Sequence, residues 1–365
     1  MGKTLTNSLE KEVRMKRLNR FGLVGAVGAM LVVLLMVGPA FAAEPLVLKV
    51  SFWTHAPEKN LYSRANGWIL REVEKRAQGR IKFEYYYSGS LLPGRETVAG
   101  VRDGVADIAF CVSFYEPGKL PLSTVTTLPL AGKNYYSTAM ALRELMQMPE
   151  MQAELDKFNL KFLSHCTNSS YALWSADPIK SVDEIKGKKL RAIGGQAKMV
   201  KALGGVPVSV VSTELYTALE RKTLDGTLAN PTFGTDYKFQ EVCPYYYAMM
   251  FGNAGIFLGI NKDSWKKIPP DIQQMFTDLA EDAAKAGHEI YELKGVKKLQ
   301  SLEQKGIVKI TQPSAEDIKE ATAIAQNSVW KEWVEKMEKK GLPGQKVLDN
   351  YLKLVQKWDA RNPYK

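Results

Sequence analysis

Residues 180–231 constrain the fold of this 365-residue chain more than any other stretch, because strand-like and helix-like patterns alternate along them. A short strand pattern ends at Arg191, and a Gly-Gly turn and a helix pattern follow it. Residues 206–211 form an apolar strand pattern, and Ser212 or Thr213 can cap the helix pattern that comes next. Alternating strands and helices predict a parallel sheet with helices on its faces.

The N-terminal half repeats this alternation. Strand-like patterns cover residues 46–53, 81–87 and 107–112, and helix-like patterns cover residues 61–77 and 95–102. With 365 residues, 45% of them hydrophobic, the chain can bury two separate cores. We therefore expect an α/β protein with two domains.

Residues 167–170 are a polar turn between two strand patterns and suit a hinge that joins the domains. The apolar strand pattern at residues 254–261 is expected to return to the first domain. The predicted limits are residues 43–168 plus about 255–295 for domain I, and residues 169–254 plus about 296–365 for domain II.

A very long helix pattern follows Pro269 and Pro270 and covers residues 271–304. At 1.5 Å per residue it would be about 50 Å long, enough to span both domains. Two terminal helices are predicted over residues 314–340 and 345–358.

The N-terminus has the pattern of a secretory signal peptide. Basic residues between Arg14 and Arg20 precede an uncharged apolar run over residues 21–37, and Ala40-Phe41-Ala42 resembles a cleavage site. We predict a signal peptide at residues 1–42 and a periplasmic mature protein. An uncleaved membrane anchor is the alternative, and Met15 is an alternative start.

The net charge of +11 falls to +7 without residues 1–42, which hold six basic and two acidic residues. The remaining Lys and Arg are dispersed, with no block rich in arginine and aromatic residues, so nucleic-acid binding is not expected. Cys111, Cys166 and Cys243 are far apart in the sequence, and we favour free buried thiols, although one disulfide pair stays open.

Arg191 and Asn230 are the first candidates for a binding site. A guanidinium at a strand end can hold a carboxylate with two parallel hydrogen bonds, although a solvated surface arginine has the same pattern. The amide of Asn230 can donate to the same carboxylate, but Asn-Pro is also a common turn.

Several motifs together resemble the DctP-type solute-binding proteins of tripartite ATP-independent periplasmic (TRAP) transporters. Residues 187–191 read GKKLR, residues 74–80 read EKRAQGR, residues 89–91 read GSL and residues 101–109 read VRDGVADIA. Each motif is weak alone, but their order and spacing match the family from about residue 46 to about residue 312.

The resemblance implies a two-domain periplasmic-binding-protein (Venus-flytrap) architecture with a long helix spanning both domains. It implies that Arg191 pairs with the carboxylate of a small organic acid, and that the protein delivers this ligand to TRAP-type membrane permease subunits. It also implies a ligand contact for Asn230, although residues 225–231 are one residue longer than the family motif and lack its glutamate. A monomer is expected, and a dimer stays open.

Further candidates are aromatic or lie in loops that can face a cleft. Tyr171 stands where some family members have a second arginine, so a less polar organic acid is expected. Core packing is the alternative for each aromatic residue. The candidates are Phe52, Trp53, Phe110, Phe114, Tyr115, Tyr171, Trp174 and Phe233, together with His55, Glu96 and Asn168.

Catalytic motifs are not found in the sequence. The three histidines are scattered, and no His-x-x-x-His, Gly-x-Ser-x-Gly, Cys-x-x-Cys or glycine-rich phosphate loop occurs. We therefore predict a binding protein and not an enzyme, with no metal and no cofactor. A ligand-sensing module or a periplasmic enzyme on the same scaffold are the alternatives.

The export signal leads to a direct prediction. The mature protein should begin at Ala43 or Glu44, because the small residues at 40 and 42 end the apolar run. Intact-mass measurement of the periplasmic protein tests this. A mass that still includes residues 21–42 would identify a membrane anchor.

Overall fold

The computed structural model describes residues 44–253 and 255–364, so the predicted signal peptide lies outside the described residues. From Pro45 onward the chain forms one compact unit that contains two β-sheets. The strands are β1 Leu46–Ser51, β2 Ile81–Tyr86, β3 Ile108–Val112, β4 Leu160–His165, β5 Ala172–Ser175, β6 Lys189–Arg191, β7 Val206–Val208, β8 Gly226–Ala229, β9 Tyr245–Tyr247, β10 Ile256–Asn261 and β11 Lys309–Thr311.

Helices cover both sheets. The α-helices are α1 Leu61–Asn66, α2 Trp68–Arg76, α3 Thr97–Arg102, α4 Tyr135–Leu145, α5 Pro149–Asp156, α6 Gly194–Ala202, α7 Ser212–Glu220, α8 Pro231–Asp236, α9 Lys262–Lys267, α10 Pro270–Asp278, α11 Ala280–Gly287, α12 Lys294–Gln304, α13 Ala315–Ile324, α14 Lys331–Glu338 and α15 Gly344–Ala360. Short 3₁₀ helices cover Leu122–Thr127, Val182–Ile185 and Phe239–Glu241, and π-helical turns cover His288–Leu293 and Ala325–Trp330.

The first sheet has the strand order β2-β1-β3-β10-β4. Its first three strands are parallel, as the alternation of strands and helices predicted. β10 lies antiparallel between β3 and β4, so the apolar strand after residue 254 does return to the first sheet. All six residues of β10 are buried, since it is an interior strand of this sheet.

The second sheet has the order β11-β9-β5-β8-β6-β7. Two of its strands were not predicted. β8 begins at the glycine of an Asp-Gly pair that has the pattern of a turn, and β9 has only three residues. Both strands gain their stability from neighbours distant in sequence, because β5 pairs with each of them.

The long helix predicted over residues 271–304 is confirmed, with two irregularities. Leu279 forms a turn between α10 and α11, and the π-helical turn joins α11 to α12. α11 packs on α2 and α4 beside the first sheet, whereas α12 packs on α8 beside the second sheet. This helical segment therefore contacts the helices of both sheets.

Two glycines allow these close contacts. A Cβ atom on Gly287 would lie 2.3 Å from the ring of Tyr135 in α4. A Cβ atom on Gly295 would lie 1.8 Å from Thr232 Oγ1 and 2.9 Å from its backbone nitrogen in α8. Real Cβ atoms do not approach other atoms so closely, so a larger residue would push the helices apart.

Each sheet contributes a buried apolar core. In the first sheet, the rings of Phe52 and Phe110 stack with centroids 4.1 Å apart. In the second sheet, Trp174 packs edge-on against Tyr246 at 5.0 Å. All three cysteines are buried and free. Within residues 44–253 and 255–364, no helix combines the length and apolar character needed to cross a membrane.

The contact at Gly295 gives a test of this helix packing. Gly295→Ala should lower the free energy of unfolding by about 1–2 kcal/mol, because overpacking against α8 outweighs the better helix propensity of alanine. Lys297→Ala, at an exposed position of the same helix, is the matched control. Urea denaturation measures both, and equal stability of the two variants would contradict the packing.

Candidate ligand-binding cavity

A cavity lies between segments of the two sheets. Much of its wall comes from residues at or just after the carboxyl ends of β1, β3, β6 and β8, where open α/β sheets commonly bind ligands. The lining residues are Trp53, Thr54, Asn60, Tyr62, Phe114, Tyr115, Asn168, Tyr171, Arg191, Ile193, Ser212, Phe233, Asp236, Tyr237, Ile256 and Tyr291.

Arg191 is the last residue of β6, and only 2% of it is exposed. Its Nε donates to the carbonyl oxygen of Val210 at 3.1 Å, and Phe233 lies under the guanidinium, 5.9 Å from Cζ to the ring centroid. Its Nη1 is buried without a hydrogen-bond partner. Among the described carboxylates, none forms an ion pair with it. A buried cation without a partner is costly, so this end of the cavity favours an anion.

Tyr171 supplies a polar group beside Arg191. Its hydroxyl oxygen accepts a hydrogen bond from Asn168 Nδ2 at 3.1 Å. Burial raises the pKa of Tyr171, and the nearby Arg191 acts against this rise. The hydroxyl therefore stays protonated at neutral pH, and its own proton can be donated to a ligand.

Asn230 begins α8 and serves as its N-cap. Its Oδ1 accepts a hydrogen bond from the backbone nitrogen of Phe233 at 2.8 Å, and Pro231 follows at the first helical position. Its Nδ2 is buried without a hydrogen-bond partner, and the side chain lies close enough to Tyr291 to affect the pKa of that hydroxyl. Asn230 thus orients Phe233, which lines the cavity.

Five of the ten predicted site residues line this cavity, as do two of the further aromatic candidates. Those from the site prediction are Trp53, Asn168, Tyr171, Arg191 and Phe233, and the further candidates are Phe114 and Tyr115. They come from both sheets and from the predicted hinge, so the structure brings together residues that are distant in sequence.

The structure corrects the predicted positions of Phe110 and Trp174. Neither lines the cavity, because both are completely buried in the cores described above. Phe52, another aromatic candidate, is buried against Phe110. All five residues of β3 are buried, so both faces of this strand pack in the core. In such a strand the sequence pattern does not show which residue faces a ligand.

His55 and Glu96 also lie outside the cavity lining. The His55 ring stacks on Tyr237 with centroids 6.0 Å apart, and its Nδ1 lies 3.0 Å from Ser88 Oγ. Glu96 is exposed and lines a neighbouring groove together with Thr213. His55 therefore supports the wall of the cavity from behind.

Several lining residues were not predicted from the sequence, among them Tyr62, Asp236, Tyr237 and Tyr291. Asp236 and Tyr237 follow Phe233 by three and four residues, so the helical period could have identified them once Phe233 was a candidate. Tyr291 lies in the π-helical turn, which no local sequence pattern indicates. Among the described residues, no group of three His, Cys, Asp or Glu side chains could hold a metal ion.

The model of bacterial extracellular solute-binding protein family 7, DctP, matches residues 53–339. The chain belongs to this family. One relative, the C4-dicarboxylate-binding periplasmic protein DctP of Rhodobacter capsulatus, is 25% identical over 299 residues, which cover 80% of this chain and 87% of the relative.

Solved structures have the same fold. A TRAP periplasmic solute-binding protein from Desulfovibrio salexigens is 26% identical with a TM-score of 0.76, covering 87% of this chain and 99% of its own. A TRAP solute-binding protein from Rhodoferax ferrireducens, in complex with copurified benzoate, is 24% identical with a TM-score of 0.77, covering 86% of this chain and 99% of its own.

The resemblance to DctP-type TRAP solute-binding proteins and the predicted fold class are confirmed. Family members are periplasmic transport proteins that bind small organic acids and work with TRAP permease components. This places the chain among transport proteins and not among enzyme families.

The cap at Asn230 can be tested by its effect on stability. Asn230→Ala should lower the free energy of unfolding by about 0.5–2 kcal/mol, because the backbone nitrogen of Phe233 loses its acceptor, and Asn230→Ser should recover most of this loss. Urea denaturation measures both variants. Asn350→Ala, on the terminal helix away from any cap, should stay within about 0.5 kcal/mol of wild type. Equal losses at positions 230 and 350 would contradict the cap.

Proposed function

We propose that this protein binds a small organic acid whose carboxylate pairs with Arg191, and that the loaded protein delivers the acid to a TRAP-type membrane permease. The observation that carries the proposal is the buried guanidinium of Arg191 with an unpaired Nη1 at the cavity. Only an anion removes the cost of that unpaired charge without moving Arg191 into water.

The geometry of Arg191 favours a carboxylate. Its Nε is already bonded to Val210, so the two terminal nitrogens are left for the ligand. Two such nitrogens match the two oxygens of a carboxylate in a bidentate pair. The fixed Nε and the ring of Phe233 hold the guanidinium in one orientation, which lowers the entropy lost on binding.

Two neighbouring groups support the same carboxylate. The Tyr171 hydroxyl, which lines the cavity, has a proton to donate, and the buried amide of Asn230, next to Tyr291 and behind the lining, is a second donor. Donors that are already positioned strengthen a buried anion pair because its remaining lone pairs are then satisfied. Trp53, Asn168 and Phe233 complete the wall around the acid in this proposal.

The predicted domains explain how the ligand would enter. In this proposal the first sheet belongs to domain I, residues 43–168 plus about 255–295, and the second sheet to domain II, residues 169–254 plus about 296–365. Relative movement about residues 167–170 and the segment before β10 would open the cavity to solvent. The closed, loaded form would then be presented to the permease, after export with the help of the signal peptide at residues 1–42.

The role of Arg191 leads to a quantitative prediction. Arg191→Ala should weaken binding of the acid by about two to three and a half orders of magnitude, since breaking a buried pair typically costs about 3–5 kcal/mol. Arg191→Lys should recover part of the affinity, because it keeps the charge and loses the two-nitrogen fork. Titration calorimetry measures this with an acid identified by a thermal-shift screen.

Arg221→Ala is the matched control, because Arg221 is an exposed arginine at the end of α7. It should bind within about threefold of wild type, as surface substitutions usually change stability and binding little. Melting curves of the ligand-free variants check that each one folds. Binding by Arg191→Ala within about threefold of wild type would show that the carboxylate is held elsewhere.

A further inference from the structure

The charges at the cavity limit the kind of acid that fits. Among the described residues that line it, Arg191 is the only lysine or arginine and Asp236 is the only aspartate or glutamate. The side chain of Asp236 is 9% exposed. Its Oδ2 accepts a hydrogen bond from the backbone nitrogen of Leu61 at 3.0 Å, and its Oδ1 lies 3.7 Å from Lys298 Nζ. A second ligand carboxylate would therefore find no free cation in the lining.

Arg191 and Asp236 both affect tyrosines of the cavity wall. Burial raises the pKa of Tyr171 and Tyr237, and the positive charge of Arg191 opposes both shifts. Burial also raises the pKa of Tyr291, and the negative charge of Asp236 adds to the shifts of Tyr291 and Tyr237. Tyr237 thus feels both charges, and no ion pair joins Arg191 to Asp236 among the described residues. The lining of the cavity therefore holds one positive and one negative side chain that are not paired with each other.

Half of the described lining residues of the cavity are aromatic. Tyr237 packs edge-on against Phe233 with centroids 4.8 Å apart, and Tyr62 packs edge-on against Tyr291 at 5.3 Å. Tyr115 packs edge-on against Phe114 at 4.8 Å. Such walls present ring faces and ring edges in fixed positions, which suits a flat aromatic ligand better than a flexible chain.

We propose that the ligand class is aromatic monocarboxylates, and that Asp236 excludes acids with a second carboxylate. This inference rests on the proposed pairing of the first carboxylate with Arg191. The aromatic ring of the ligand lies among the tyrosine and phenylalanine rings, and its far end faces Asp236. A hydroxyl group at the far end can donate to the Asp236 carboxylate, whereas a carboxylate there is repelled.

Burial makes this repulsion effective. Two carboxylates that share one poorly hydrated site cannot both remain ionised, so one of them must take up a proton. Burial raises the pKa of the Asp236 carboxyl group, whereas the hydrogen bond from Leu61 and the charge of Lys298 favour its ionised form. Lys298 is already engaged with Asp236 and is half exposed, so it offers little to a second anion.

A panel of acids tests the proposal by titration calorimetry. The panel is benzoate, 4-hydroxybenzoate, cyclohexanecarboxylate, terephthalate and succinate. Wild type should bind both benzoates, should bind cyclohexanecarboxylate about three- to tenfold more weakly than benzoate because ring–ring contacts are lost, and should bind the two dicarboxylates at least about a hundredfold more weakly. Terephthalate keeps the ring of benzoate and adds only the second carboxylate.

Asp236→Asn tests the exclusion separately. It keeps an oxygen that can accept from the backbone nitrogen of Leu61 and removes the negative charge. The ratio of terephthalate affinity to benzoate affinity should rise at least about tenfold in this variant, because the repulsion is lost. Asp282→Asn, at an exposed position of α11, is the matched control and should keep the wild-type ratio.

Three results would overturn the proposal. These are terephthalate or succinate binding to wild type as tightly as benzoate, an unchanged affinity ratio in folded Asp236→Asn, and no binding of any aromatic acid. The wild-type panel decides the question even if Asp236→Asn does not fold. Arg191→Ala distinguishes an error in the ligand class from an error in the proposed pairing with Arg191. If this variant no longer binds a dicarboxylate that wild type prefers, the pairing with Arg191 is right and only the ligand class is wrong. If it changes no affinity in the panel, the pairing with Arg191 is wrong.

Discussion

The unpaired positive charge of Arg191 is the constraint around which the rest of the cavity is arranged. The guanidinium lies at the carboxyl end of β6 with almost no exposure, fixed by Val210 through Nε and by the ring of Phe233. Keeping a cation in such a place without a carboxylate lowers the stability of the ligand-free protein. Binding an anion removes this cost, and the free energy released adds to the affinity.

The scaffold holds Arg191 opposite groups from the other sheet. β10 returns to the first sheet, and the helical segment after Pro269 contacts helices beside both sheets through Gly287 and Gly295. These connections bring Trp53, from the first sheet, and Tyr291, from the π-helical turn, to the same cavity as Arg191. A π-helical turn changes the direction of side chains along a helix, and such turns are common at functional sites.

The sequence was informative where one local pattern decides the structure. The strand that ends at Arg191, the parallel order of β1 to β3 and the helix over residues 271–304 all follow from periodicity and from glycine and proline signals. β8 and β9 were missed because they are short and depend on pairing with β5. Phe110 and Trp174 were misplaced because a strand buried on both faces has no alternating pattern that shows which side chains face the cavity. Asp236 and Tyr291 reach the cavity only through packing between elements that are distant in sequence, which no local pattern encodes.

The position of β10 also has a consequence for synthesis. β3 and β4 are not neighbours in the first sheet, because β10 lies between them. A chain that emerges from the ribosome presents β3 and β4 long before β10, with the strands β5 to β9 of the second sheet in between. Until then, the growing chain exposes two apolar strand edges that can pair wrongly with other chains. The architecture that connects the two sheets thus leaves this gap between β3 and β4 open until β10, Ile256–Asn261, has been made.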